Sequence, residues 1–252
     1  MTISEASWMK YIDDLSKINQ IAAQKMEEFM HLNRDADGFW NSQEVRQLII
    51  DYAFGLSEKY GNAAAELACE MYDSVGALSG ISLPAAEPAA TATYSETAKA
   101  VNGALKISDN EKLVINAVDR LIKLAGVDTT LKNAIRDHAE WAWVPHGDTC
   151  AFCIALASRG WQDADSAILN GIHAEHVHAN CDCTFAIRHN RSTEYAGYDP
   201  SKYKRIYDNA GGRSSYEKIN SIERSIYNEN REEINARKRA EYAARKEREA
   251  AQ

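Results

Sequence analysis

No apolar run in the 252 residues approaches the ~18 needed to cross a bilayer, so no membrane-spanning segment is expected. The amino terminus, MTISEASWMKYIDDLSKIN, has neither a basic n-region nor an apolar h-region. It is not expected to act as a secretory signal, so folding is expected in the cytoplasm of the cell that makes the protein. The sequence contains no GxSxG, no P-loop, no GxGxxG and no HExxH, so the commonest hydrolase, nucleotide-binding and zincin signatures are excluded. Charge of one sign is also missing from any extended surface. Residues 201–252 hold 13 Lys/Arg against 9 Asp/Glu, and residues 1–200 hold 16 against 28. An acidic body with a mildly basic tail is not a DNA-binding domain of the ordinary one-sided basic kind. The interleaved tail suits a solvated helix that could also touch DNA.

Cysteine is scarce, with five in the chain, and four of the five fall within 34 residues. Cys69 sits in the helical stretch AAAELACEMYDSV and reads as a small buried residue. The others form two close pairs, Cys150-x2-Cys153 and Cys181-x-Cys183, with His178 three residues before Cys181. Structural disulfides are not expected in a reducing compartment. Two close pairs of soft ligands match the tetrahedral demand of a structural Zn2+, because a CxxC turn presents two thiolates from one tight loop. Successive residues of a strand point to opposite faces, so Cys181 and Cys183 both reach one ion only if the backbone bends at Asp182. Otherwise His178 replaces Cys181 or Cys183. The candidate metal residues are Cys150, Cys153, Cys181, Cys183 and His178, with Cys181 against His178 the open choice for the fourth ligand.

His173, His176 and His178 form the cluster HAEHVH. His173-Ala174-Glu175 matches the H-x-E of zinc nucleobase deaminases, but there the CxxC follows the H-x-E, whereas here it precedes it. A metal-dependent, HNH-like nuclease using these histidines is the alternative function. Its second cysteine pair would be CxxC, and no full set of general base and metal ligands emerges.

Periodicity predicts a mainly helical chain. Trp8, Tyr11, Ile12, Leu15, Ile18, Ala22, Met26 and Phe29 form one stripe over a first helix of about 40 Å. That stripe must pack on later helices or on another subunit, so self-association through this helix is one expectation. A second helix carries Val45 to Leu56, Gly61-Asn62 interrupts, and a third carries Leu67 to Val75. GISLPAAEPAATAT, residues 80–93, reads as an extended linker or a surface strap. Ser108 and Glu111 form a capping box for a helix that Gly126 stops, and Thr129 or Thr130 caps the next. Trp141–Val144 and Thr184–Arg188 read as short strands able to pair. The expected fold is a helical bundle with a small zinc-stapled α+β module and an extended C-terminal helix. Its regions are 1–79 (helical), 80–97 (linker), 98–197 (α+β module with the cysteines) and 198–252 (charged tail).

HGDTCAFCIALASRGW (146–161) and HAEHVHANCDCTFAIR (173–188) resemble the phage minor head proteins related to the phage Mu head-morphogenesis family. The actinobacterial and firmicute members show a V-P-x-G-x-x-C-x-x-C block running into L-A-S-R-G, then an H-x-x-C-x-C block. Both blocks occur here, as Val144 to Gly160 and His178 to Cys183. The helix around YGNAAAELACEMYDSV and the tail INARKRAEYAAR are similar to the flanking parts of such proteins. The resemblance implies a non-enzymatic role in head assembly, in few copies inside the virion near the portal. Its implied partners are the portal and the major capsid protein, and its implied carboxy-terminal domain is α+β.

Overall fold

The computed structural model describes residues 2–34, 40, 42–107, 110–146, 149–164 and 183–250. It divides into two compact units, one of Met1–Gly147 with Trp161–Tyr198 and one of Asp148–Gly160 with Asp199–Gln252. The chain is mainly helical with a small α+β part, as the sequence predicts.

In the first unit, α1 (Glu5–Leu32) starts at Ser4, whose hydroxyl accepts the Ser7 amide at 3.1 Å. Trp8, Tyr11, Ile12, Ala22 and Met26 of its stripe, with Met30 beside them, are buried within this unit, against later elements of the same chain. The indole of Trp40 donates to the Met30 carbonyl at 2.9 Å and covers the last turn.

The second and third expected helices are one element, α2 (Gln43–Leu78), and Gly61-Asn62 does not interrupt it. A glycine inside a helix costs only about 1 kcal/mol relative to alanine, which packing readily overrides. Here the packing reason is visible. A Cβ on Gly61 would lie 2.9 Å from Thr91 Cγ2 and 3.4 Å from Ala125 Cβ. A Cβ on Gly126 would lie 3.4 Å from the Ala64 carbonyl oxygen. Each glycine lets the backbone of α2 approach α4 (Glu111–Arg136). Gly126 is therefore interior to α4 and not its stop. Thr129 and Thr130 are not caps either, since their hydroxyls donate back to the carbonyls of Ala125 (2.7 Å) and Gly126 (3.1 Å). The N-cap of α4 is Asn110, which accepts the Lys112 amide at 3.0 Å, and Ser108 lies outside the described residues.

Between these long helices a turn at Gly80 leads into residues 81–93, which form no helix or strand, and α3 (Tyr94–Ile107) follows directly. This run is a strap laid on α4. Asn133 receives the Glu87 amide on its Oδ1 (2.9 Å) and donates Nδ2 to the Glu87 carbonyl (2.9 Å). The Ala89 amide donates to the Thr129 hydroxyl (2.9 Å), and Arg136 donates to the carbonyls of Pro84 and Ala85, each at 3.0 Å. A proline-containing segment cannot form a regular ladder, so side chains of α4 satisfy its backbone.

The two expected strands do pair. β2 (Glu140–Val144) runs antiparallel to β4 (Thr184–Arg188), with Trp141 opposite Ile187 and Val144 opposite Thr184. β3 (Gln162–Asp163) pairs on the other edge of β2, giving the order β3-β2-β4. A two-residue parallel pair joins β1 (Thr2–Ile3) to β5 (Glu194–Tyr195). Tyr195 donates to the Ile187 carbonyl at 2.7 Å and meets Trp8 edge-on, tying this pair to the sheet and to α1.

The second unit is built from α5 (Ala151–Ala157), α6 (Pro200–Asn209), α7 (Ser215–Glu229) and α8 (Arg231–Ala250). Ala151 and Ile154 of α5 pack with Ile222, flanked by Tyr203, Tyr207, Ile219 and Ile226. The sequence reading groups the CxxC with the 98–197 module, whereas this packing places it with helices of the 198–252 region. Ser214 and Glu217 form a full capping box at the start of α7. Among the side chains described on α8, none is buried.

Candidate metal centre

Cys150 is the N-cap of α5, with its Sγ accepting the Cys153 amide at 3.5 Å. This is the tight turn that a CxxC chelate requires, with one sulfur already receiving a backbone N–H. Cys153 is fully buried and Cys150 is half-buried, both in the second unit. Cys183 is half-buried in the first unit, directly before Thr184, the β4 residue opposite Val144. Cys181, His173, His176 and His178 lie outside the described residues. The CxxC turn by itself fits half of a zinc site, with paired sulfurs presented from one turn. Cys69 on α2 is half-buried, not fully buried, and burial followed by the nearby Asp73 carboxylate pushes its thiol up.

Among the described residues, the group of three or more metal-ligating side chains whose ligand atoms converge lies elsewhere. Single ligand atoms of Glu27, His31 and Glu111 lie within 4.8 Å of one another. A cation is already built into it, because Arg34 Nη2 donates to Glu111 Oε2 at 3.2 Å and lies 2.9 Å from His31 Nδ1. The group is an ion-pair network joining α1 to the first turn of α4.

A second polar cluster, not signalled by any motif, fixes the far end of α4. The Tyr72 hydroxyl donates to the Asn133 carbonyl and to Asp137 Oδ2, each at 2.9 Å. Arg136 grips Asp137 with Nε (2.8 Å) and Nη2 (2.7 Å), which holds that carboxyl below its ordinary range. The His189 ring meets Tyr72 edge-on at 5.4 Å, and its buried Nε2 has no hydrogen-bond partner among the described residues.

That arrangement predicts a pH response. Burial lowers the His189 pKa from 6.5, opposed by the Asp137 carboxylate. The unfolded chain then binds a proton more readily than the fold does, so stability is lost as pH falls from about 6.5 towards the folded value. The melting temperature should therefore decline through this window, and His189→Gln should flatten the decline. Asp137 acts in a separate, more acidic window, since its depressed pKa contributes stability that is lost only as pH falls through the folded value. An unchanged slope in His189→Gln would assign the decline to other groups.

A family model described as VG15 protein matches residues 2–210. No curated protein and no solved structure matches.

Proposed function

The chain belongs to the VG15 protein family, a phage-associated family, and from that premise we propose that it is a structural minor head protein of a tailed bacteriophage or prophage. It acts in head assembly near the portal, binding the portal, the major capsid protein or both. The observation that carries this reading is the length of the family match, which runs from β1 through α6 and so includes the bundle, the sheet and the CxxC helix. The cysteine blocks at 144–160 and 178–183 support the finer relation to the Mu head-morphogenesis type. No helix described is long and apolar enough to cross a membrane.

One zinc ion staples the protein through Cys150, Cys153 and Cys183, with Cys181 or His178 as the fourth ligand. Its contribution is folding energy and not chemistry, because a closed four-ligand site leaves no position for substrate. The apolar stripe of α1 is consumed inside its own unit, so contact between copies through this helix falls to its outer residues, Ile21 and Leu32. The basic-leaning tail is the part suited to touch packaged DNA.

Mass spectrometry of purified heads, with co-purification of tagged protein on the portal and on the major capsid protein, tests the reading. Low-copy presence in heads and retention by either partner are expected. Absence from heads, together with metal-dependent DNA cleavage lost in His176→Ala, would replace it with the nuclease alternative.

A further inference from the structure

The outer face of α7 carries a composition that its packing does not require. Ile219, Ile222 and Ile226 face α5 and α6. Flanking them, Tyr216, Asn220, Glu223, Arg224 and Tyr227 recur at steps of three and four, which lines them up beside the isoleucine seam on its solvent side. Tyr216 is 74% exposed and Tyr227 39% exposed. Arg213 and Arg224, with Asn220 and Ser221, line a surface recess of about 720 Å³ at the α6–α7 turn. Neither arginine has an ion-pair partner among the described residues.

The backbone amides leading into α7 are not the donors this recess offers. Those of Arg213 and Ser214 already donate to Glu217 Oε2, at 2.7 and 3.0 Å, and the Gly211 amide donates to the Ser221 hydroxyl at 3.1 Å. Those amides also compensate the Glu217 carboxylate and hold it below its ordinary range. What remains open is two guanidinium forks, opposed locally by Glu223 and by Glu217, which also lines the recess but is compensated by those amides. Further along, Lys238 of α8 sits 5.9 Å over the Tyr227 ring and extends the same surface.

The whole unit leans basic, with 14 Lys/Arg against 11 Asp/Glu in residues 148–160 and 199–252, while the other unit holds 15 against 26. Unpaired guanidinium groups are matched to phosphate oxygens, and exposed tyrosines between cations are matched to the faces of unpaired bases. We propose that this face of α7 is a nucleic-acid-binding surface, with a backbone phosphate in the Arg213–Arg224 recess and unpaired bases on Tyr216 and Tyr227. Its biological setting, beside packaged DNA, rests on the head-protein reading. Binding by the isolated chain does not, so the two fail separately.

The test is fluorescence anisotropy of the full-length protein with labelled single-stranded and duplex DNA of about 20 units, over a salt series. Arg213→Gln with Arg224→Gln should weaken both probes roughly tenfold or more and lower the salt slope by about two. Tyr216→Ser with Tyr227→Ser should weaken the single strand by roughly tenfold or more and leave the duplex nearly unchanged. All four side chains are exposed, and circular dichroism melts of the variants should match wild type. Unchanged affinity in the arginine variant overturns the assignment. So does displacement by polyglutamate as effective as by DNA of equal charge, which would mark an acidic protein as the partner. Displacement of nothing, with inorganic phosphate alone binding, would reduce the recess to a small-anion site and equally overturn it.

Discussion

Asn133→Ala is expected to release the strap and to destabilise the first unit by about 3 kcal/mol, the sum of lost bonds and stranded polar groups. Asn133 is 1% exposed and makes bonds in both directions. Its Nδ2 donates to the carbonyls of Glu87 and Thr129, and its Oδ1 accepts the Glu87 amide. Truncation leaves the Glu87 amide and carbonyl without their Asn133 partners at a part-buried position. Neighbouring clamps persist, since Thr129 still holds the Ala89 amide and Arg136 still holds the carbonyls of Pro84 and Ala85. The loss should therefore be sharpest in the middle of the strap. Hydrogen exchange checks this directly: the Glu87 amide should lose most of its protection, and that of Ala89 should lose less. In a unit of this size the same loss lowers the melting temperature by roughly 6–12 °C. Unchanged exchange at Glu87 would show that the strap is held by its prolines and flanking helices instead.

That clamp was not legible in the sequence, and the reason is physical. An asparagine within a helix carries no periodic signal, and a strap has no repeating pattern of its own. The stripe of α1 and the strands TFAIR and WAWV were legible because their apolar residues recur at 3.6 or mark short half-buried runs. The glycines misled for an instructive reason. Gly61 and Gly126 lie in mutually packed helices, and a glycine chosen for close approach looks, in one dimension, like a glycine chosen to end a helix. The tail shows a related blindness. Ile219, Ile222 and Ile226 have helical spacing, yet the high charge around them hides that three isoleucines and two tyrosines suffice to seat a seven-residue helix. The cysteine pairs were legible as chemistry. Which histidine or cysteine completes them depends on the backbone between 165 and 182, outside the described residues.

The division of the four cysteines makes the zinc proposal sharply testable. Cys150 and Cys153 belong to the unit built on α5, whereas Cys183 belongs to the unit containing the sheet. Purified protein should hold about one zinc per chain by elemental mass spectrometry, as a closed tetrahedral site requires. Cys153→Ser and Cys183→Ser should each lose the metal, because three ligands bind far more weakly than four. Structural zinc is worth on the order of 10 kcal/mol in small modules, so loss should unfold at least the short α5, whose seven residues cannot be stable alone. Proteolysis after Arg159 should then become rapid in the variants and in chelator-treated wild type. A comparison of Cys181→Ser with His178→Ala assigns the fourth ligand, since only the true ligand's loss reproduces the Cys153→Ser phenotype. A wild-type protein that is folded, protease-resistant and free of zinc would end the staple, leaving the CxxC turn held by the Cys153 N–H to Cys150 Sγ bond and by Ile154 in its apolar seat.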